Sequence, residues 1–176
     1  LDVVVQGGAS LLWGTEEGAI QIAVRHLWAA DRSLVGARVS HPAEPSFANI
    51  SARSLTISNE ATLGCLPCAR SVDAQNGLPG CATAAADTSG EPPQSQRGIV
   101  PCPDVAIMAA EDLRVVSGGQ VLAIMLNLSA GHHFIVDASS KVSTPDYLTD
   151  SDIDIQAPLV QIAGLVHAST VRVVGA

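Results

Sequence analysis

Short segments in which apolar and polar residues alternate run along most of the chain, separated by Gly, Ser, Asp, Asn and Pro. Alternation with a period of two is typical of strands with one buried side, and the separating residues favour turns. The pattern therefore predicts an all-β protein. The predicted strands are LDVVVQ, ASLLW, SLVGARVS, NISARSLTIS, VAIMA, LRVVS, VLAIMLNLS, HFIVDAS, IDIQA, LVQIA and STVRVV.

One segment, TEEGAIQIAVRHLWAAD, has features of both a helix and a strand. Acidic residues at its beginning favour a helix, because negative charge stabilises a helix N-terminus. The interior Gly18 and the alternation of Ile20, Ile22 and Val24 favour a strand instead. We predict a strand here.

A sequence repeat indicates how the strands are arranged. The pattern Ala-x-x-[Leu/Val]-x-[Ile/Val] begins at Ala52, Ala110, Ala157 and Ala168. The 47 residues from Ala110 to Ala157 are close to two repeats of about 23. Turns of roughly 22 residues would place the apolar residues of each turn above those of the turn below. We therefore predict a parallel β-helix (β-solenoid) of about six turns; the alternative is a β-sandwich or jelly roll.

The length of 176 residues suits one domain, so we expect a single β-solenoid segment over residues 1–176. A loop excursion at residues 65–102 interrupts it, since this stretch is rich in Pro, Gly, Ser and Ala. LDVVVQ and VRVVGA are both strand-like and carry no polar cap, which solenoids need for solubility. We therefore expect further protein at both ends, from a longer chain or from neighbouring subunits.

All four cysteines, Cys65, Cys68, Cys81 and Cys102, lie within the loop excursion. Zinc and free thiols are alternatives, but the excursion contains one Cys-x-x-Cys pair, no second pair and no His. Disulfide bonds are the preferred interpretation. The favoured pairing is nested, Cys65 with Cys102 and Cys68 with Cys81, and the crossed pairing competes with it.

Two Asn-x-Ser sequons begin at Asn49 and Asn127. In a strand, Ile50 and Leu128 would point inward and both Asn side chains outward, where a glycan acceptor must lie. We predict N-linked glycans at these sites. Together with the disulfides, they indicate a secreted protein that is extracellular or at the cell surface.

Composition excludes some classes of partner. The net charge of −8 and a pI near 4.8 disfavour nucleic acid and anionic membrane surfaces. No apolar run reaches the roughly 18 to 20 residues of a membrane-spanning helix. Aromatic residues are only 3% of the chain, so aliphatic and small residues must fill the core.

The strand pattern resembles the right-handed parallel β-helix proteins, the pectin-lyase-like architecture of adhesins, cell-surface proteins and polysaccharide enzymes. The resemblance rests on ISARSLTISNEATL, MAAEDLRVVSGGQVL and IQAPLVQIAGLVHAS, which cover less than half of the chain. It implies the fold more than an activity.

Polysaccharide hydrolases of this architecture share clustered Asp residues and a Gly-His-Gly stretch. Asp150, Asp152 and Asp154 alternate and would share one side of a strand, where they could serve acid–base chemistry, Ca²⁺ or sugar binding. We interpret them as the solvated side opposite Ile153 and Ile155. The nearest match to the second motif is Gly131-His132-His133, which we interpret as a polar turn. We predict no catalytic residue, metal or cofactor.

The sequence thus favours a non-enzymatic, extracellular structural or adhesive segment that contributes to a surface layer, appendage or filament. The alternative is a carbohydrate-active enzyme or carbohydrate-binding domain of the pectin-lyase-like fold.

Overall fold

The computed structural model describes residues 1–14, 20–38, 47–64, 104–144 and 151–175. These residues form sixteen strands and no helix, which confirms the all-β prediction. The strands are β1 Asp2–Val5, β2 Ser10–Gly14, β3 Ile20–Ala29, β4 Leu34–Arg38, β5 Phe47–Ile57, β6 Thr62–Gly64, β7 Asp104–Ala109, β8 Asp112–Val115, β9 Gln120–Leu122, β10 Leu126–Ala130, β11 His133–Val136, β12 Lys141–Ser143, β13 Asp152–Gln156, β14 Leu159–Ile162, β15 Leu165–His167 and β16 Thr170–Val174. The segment with mixed helix and strand features forms the strand β3.

Every strand pairing among the described residues is parallel, and the strands lie in three stacks. Stack A contains β1, the C-terminal parts of β3 and β5, β8, β11 and β14. Stack B contains β2, β4, β6, β9, β12 and β15. Stack C contains the N-terminal parts of β3 and β5, β7, β10, β13 and β16. The described strands therefore do not form the antiparallel sheets of a sandwich, and their arrangement is consistent with a β-solenoid.

The repeats that begin at Ala52 and Ala110 lie on adjacent turns, as predicted, and are in register from their fourth residues onward, whereas Ala52 itself pairs with Ala109. Leu55, the fourth residue of the first repeat, pairs with Leu113, the fourth residue of the second. The backbone N–H of Ala110 also donates to the carbonyl oxygen of Ala52. The two turns stack directly although 58 residues separate Leu55 from Leu113.

The repeat that begins at Ala157 lies two turns beyond Ala110, also as predicted. Leu113 pairs with Phe134, and Phe134 pairs with Val160. The turn between them begins at Gly131 and has Phe134 where the other repeats have Leu or Val. It escaped the sequence pattern because both of these positions differ.

The turns vary in length around the predicted value of roughly 22 residues. In stack B, Val35 pairs with Leu63, 28 residues later, whereas Val121 pairs with Val142, 21 residues later. The strands remain in register despite this variation, because the additional residues of a longer turn lie in the corners between strands.

Alternating burial along most strands produces one apolar core between the stacks. In stack C, Ile50, Ile107, Leu128 and Ile155 lie in one inner column and are almost completely buried. Among the side chains that the structure describes, Phe134 is the largest that is fully buried. The other large, fully buried side chains are Leu27, Leu55, Ile57, Leu63, Leu113, Leu126 and Ile153.

Two-residue corners join stack A to stack B at residues 7–8, 31–32, 59–60 and 117–118, all in the left-handed backbone region. Backbone hydrogen bonds connect successive corners, for example from the N–H of Arg32 to the carbonyl oxygen of Asn59. Gly and Asn adopt this backbone with the least strain, whereas Arg32 adopts it at a cost. The corners thus form a stack of their own.

Asp137 lies in the corner between β11 and β12, where it accepts hydrogen bonds from neighbouring residues. Its carboxylate accepts from the backbone N–H of Ser117 and Ser139 and from the hydroxyls of Ser139 and Ser140, at 2.6–3.1 Å. The hydrogen bond from the Ser140 hydroxyl lowers the pKa of Asp137 most, and together the contacts bring it to about 2. The ionised carboxylate therefore stabilises the folded chain.

We expect Asp137→Ala to reduce the free energy of unfolding by about 1–2 kcal/mol at neutral pH, a range that allows for screening of this accessible carboxylate by solvent. Because the folded pKa is the lower one, this stabilisation is present above the ordinary value of 3.8 and lost as pH falls towards about 2. Denaturant unfolding at several pH values tests this. A difference between the two proteins that does not shrink below pH 3.8 would contradict it. Asp154→Ala serves as the control and should change stability by less than about 0.5 kcal/mol.

Candidate functional site

The outer side of stack A carries a column of polar side chains, formed by Asp2, His26, Ser54, Asp112 and His133 and called here the polar column. Asp2 pairs with His26, His26 with Ser54, and Asp112 with His133. Ser54 lies opposite Asp112 because the residues that follow them are paired. Side chains in such a column are separated by about 4.8 Å, the distance between neighbouring strands.

Two short hydrogen bonds connect members of the polar column. Nδ1 of His26 lies 2.6 Å from Oγ of Ser54. Nδ1 of His133 lies 2.7 Å from Oδ1 of Asp112, whose other oxygen accepts from Arg114 at 2.7 Å. Both contacts join residues on successive turns, so the register of the strands produces them.

The Asp112 carboxylate is held in its ionised form. Partial burial acts to raise the pKa of Asp112, but the hydrogen bonds from His133 and Arg114 outweigh it and lower the pKa below its ordinary value. These contacts fix the orientation of an imidazole and a guanidinium at the surface. The guanidinium retains N–H donors, and the imidazole retains its Nε2 atom, with which a polar ligand can form hydrogen bonds.

Charged residues line the polar column on the side towards stack C. Arg25 donates to both carboxylate oxygens of Asp2, at 2.7 and 2.8 Å, and lowers its pKa. Arg53 pairs with Glu111 at 2.7 Å. The two arginines border a shallow, open groove, lined also by Leu1, Ala23, Val24, Ser51, Ala52, Met108 and Ala110.

An exposed aromatic side chain lies on the other side of the polar column. Trp28 follows His26 by two residues, so both point outward from β3, and 46% of Trp28 is exposed. Its indole N–H donates to Oγ of Ser58 at 3.1 Å, which holds the ring in place. A fixed, exposed indole beside charged groups is a surface on which a sugar ring can stack.

The three aspartates predicted to share one side of a strand are described only in part. Asp152 and Asp154 lie on the outer side of β13 in stack C, and Ile153 and Ile155 between and after them are buried. Asp154 lies 3.6 Å from Arg172. Asp150 lies outside the described residues. Within the described ranges, no three His, Cys, Asp or Glu side chains are grouped as a metal would require.

The Gly131-His132-His133 stretch is divided between a corner and a strand. His132 is exposed at the corner, consistent with the polar turn that we predicted. His133 is instead the first residue of β11 and binds Asp112, a contact that the sequence analysis missed. Their separation of 21 residues is close to one predicted turn, but it does not by itself specify the contact, because the turns vary in length.

Asn49 and Asn127 both lie on the outer side of stack C, while Ile50 and Leu128 are buried. The predicted orientation of the two sequons is therefore confirmed. One strand separates them, since Ala106 pairs with both Asn49 and Asn127. Glycosylation at these sites stays a prediction.

The four cysteines, Cys65, Cys68, Cys81 and Cys102, lie outside the described residues, so their disulfide pairing also stays a prediction. In the part of the chain that the structure describes, there is no helix of the length and hydrophobicity that crossing a bilayer requires.

Comparison with known proteins gives no relative: no family model, no curated protein and no solved structure matches this chain.

Proposed function

We propose that the chain is a non-enzymatic structural or adhesive segment of an extracellular, pectin-lyase-like β-solenoid, in which the three stacks are the sides of a right-handed parallel β-helix. One observation carries the proposal: inner columns of apolar side chains continue through successive turns of all three stacks. Each turn buries its apolar side against its neighbours, so turns can be added without redesign of the core. This is the construction expected of a rod that supports or spaces other parts.

The fold around the loop excursion supports a disulfide at its base. In the turn after the excursion, only three residues join Leu122 of β9 to Leu126 of β10. Gly64 pairs with Leu122, and Val105 pairs with Leu126. Gly64 and Val105, which flank the excursion, therefore lie about as close to each other as Leu122 lies to Leu126. This favours a bond between Cys65 and Cys102, as in the nested pairing.

The compartment can be tested by secretion from eukaryotic cells behind a general signal peptide. We expect a soluble glycoprotein without free thiols, in which Asn49→Gln and Asn127→Gln each remove one glycan. Unreduced peptide mapping distinguishes the nested from the crossed pairing. A secreted chain that keeps four free thiols and carries no glycan would contradict an extracellular role, and release of reducing sugar from polysaccharides would contradict a non-enzymatic one.

A specific observation favours carbohydrate binding as a second candidate function. The polar column, the exposed Trp28 and the groove beside Arg25 and Arg53 combine acidic groups, fixed donors and an aromatic surface along one side of the rod. Sugars are bound by hydrogen bonds to their hydroxyls together with stacking on aromatic rings. The strands place these groups in line, which suits a linear saccharide.

If this second function holds, we expect Asp112→Asn to raise the Kd for a bound polysaccharide by about tenfold, because loss of the charge releases both His133 and Arg114. Affinity electrophoresis in gels that contain neutral or acidic polysaccharides measures this. Asp154→Asn is the matched control, since it makes the same change on stack C. Equal retention of the two variants would place any saccharide site elsewhere.

A further inference from the structure

The outer side of stack A carries a second column of side chains beside the polar column. Trp28 pairs with Thr56, Thr56 with Arg114, and Arg114 with Ile135, and these four residues are called here the mixed column. Each of them follows a member of the polar column by two residues, so both columns point outward from the same strands. Each of these strands is paired on both sides, so the mixed column lies on interior turns of the described fold.

Hydrogen bonds hold the outward side chains of these turns in place. The indole N–H of Trp28 donates to Oγ of Ser58 at 3.1 Å. Arg114 donates at 2.7 Å to Asp112, which also binds His133 at 2.7 Å. Nevertheless, 46% of Trp28 and 48% of the Arg114 side chain remain exposed. A ligand therefore meets groups that are already ordered, which reduces the entropic cost of binding.

Ion pairs balance the charge along this side of the rod. Three arginines are each paired with a carboxylate at 2.7 Å: Arg25 with Asp2, Arg53 with Glu111, and Arg114 with Asp112. The chain as a whole has a formal net charge of −8 with neutral His. A balanced surface has no net attraction to an acidic or a basic polymer, so this side is complementary to a ligand without charge.

The two columns match the two kinds of surface that a pyranose ring presents. The C–H groups of a ring stack on an aromatic side chain such as Trp28. Its hydroxyls donate to and accept from polar side chains such as those of His26, Ser54 and Asp112. Because both columns run along the axis of the stack, an extended saccharide in the same direction meets polar groups on successive turns.

The two sequons favour stack A over stack C as the binding side. Asn49 and Asn127 both lie on the outer side of stack C, and the sequence contains no other Asn-x-Ser or Asn-x-Thr sequon. Glycans at these predicted sites would cover the outer side of stack C and leave that of stack A accessible.

We propose that the outer side of stack A binds a neutral, linear polysaccharide, which lies along the polar and mixed columns with one ring stacked on Trp28. The inference rests on the second candidate function, carbohydrate binding, and names the class of ligand and the residue that stacks on it. Specificity follows from the paired charges, and affinity follows from the fixed aromatic and polar groups.

Affinity electrophoresis in gels that contain hydroxyethylcellulose or galactomannan tests the aromatic contact. We expect at least one of these neutral polysaccharides to retain the wild-type chain, and Trp28→Ala to raise the Kd about tenfold, because the stacked ring loses its aromatic partner. Trp28→Phe keeps an aromatic ring and should recover part of this loss. Met125→Ala is the matched control, since Met125 is 48% exposed but lies outside stack A. Equal Kd values for Trp28→Ala and Met125→Ala would overturn the proposal.

The role of charge is tested with carboxymethylcellulose, an acidic polymer with the same glucan backbone as hydroxyethylcellulose. We expect it not to retain the wild-type chain at concentrations at which a neutral polysaccharide does. Glu111→Gln leaves Arg53 without its carboxylate and should produce a retardation that the wild type does not show. Asp154→Asn makes the same change in net charge on stack C and should not. An equal response of these two variants would overturn the assignment of charge selectivity to stack A.

The outcomes distinguish this inference from the second candidate function. Absence of retention in every gel would overturn both. Retention of the wild type by carboxymethylcellulose as strong as by the neutral polymers would overturn only the neutral class of ligand. A loss of binding in Asp112→Asn without a loss in Trp28→Ala would leave carbohydrate binding intact and overturn the site proposed here. The comparison of neutral and acidic gels uses the wild-type chain, so it applies even if a variant does not fold.

Discussion

Phe134→Ala should reduce the free energy of unfolding by about 3–5 kcal/mol, a large fraction of the stability of a domain of this size. Phe134 is fully buried in stack A, between Leu113 of the preceding turn and Val160 of the following one. Truncation removes apolar contact with both turns and leaves a cavity that the parallel strands cannot close without losing their register. Denaturant unfolding, at matched protein concentration, measures the loss.

Two variants separate packing from other effects at this site. Phe134→Leu keeps most of the side-chain volume and should cost less than half as much as the Ala variant. Ile135→Ala changes the next residue, whose side chain points outward and is only partly buried, so it should cost less than either. An equal cost for Ile135→Ala and Phe134→Ala would contradict the inner position of Phe134.

The sequence predicts the fold well where the repeats share residue types. The pattern Ala-x-x-[Leu/Val]-x-[Ile/Val] aligns three residues that lie in one inner column, namely Leu55, Leu113 and Val160. The turn with Phe134 does not match the pattern, because the pattern requires Ala where this turn has Gly131 and Leu or Val where it has Phe134. What the column requires physically is an apolar side chain of suitable volume, and a pattern of residue types represents this only in part.

The polar column could not be predicted in the same way. The contact between Asp112 and His133 requires a turn of 21 residues, and that between His26 and Ser54 a turn of 28. Because corners add or remove residues without disturbing the inner columns, an average turn length does not show which outer side chains meet. Only the register of individual strands shows this, and hydrophobic alternation alone does not specify that register between turns.

The stacked corners between stacks A and B were also only partly predictable. Gly7, Gly8 and Gly118 indicate turns in the sequence, as does Asn59. Arg32 carries no such signal, yet it adopts the same left-handed backbone. The hydrogen bonds from corner to corner over-determine this conformation, so the surrounding structure overrides the preference of the residue.

Gly131→Ala should be the most destabilising of the surface substitutions proposed here, at about 1–3 kcal/mol, because a Cβ at this position would overlap the backbone carbonyl oxygen of Ala110. The amide of Gly131 donates to the carbonyl oxygen of Ala109, so the chain cannot move away without losing a bond between turns. Gly175→Ala is the matched control, since its added Cβ would meet no atom within 4 Å, and it should change stability by less than about 0.5 kcal/mol. Denaturant unfolding of both variants compares them directly. If Gly131→Ala is as stable as the wild type, the two turns do not approach each other closely at this corner. The close approach would then also fail to explain why this repeat begins with Gly where the others begin with Ala.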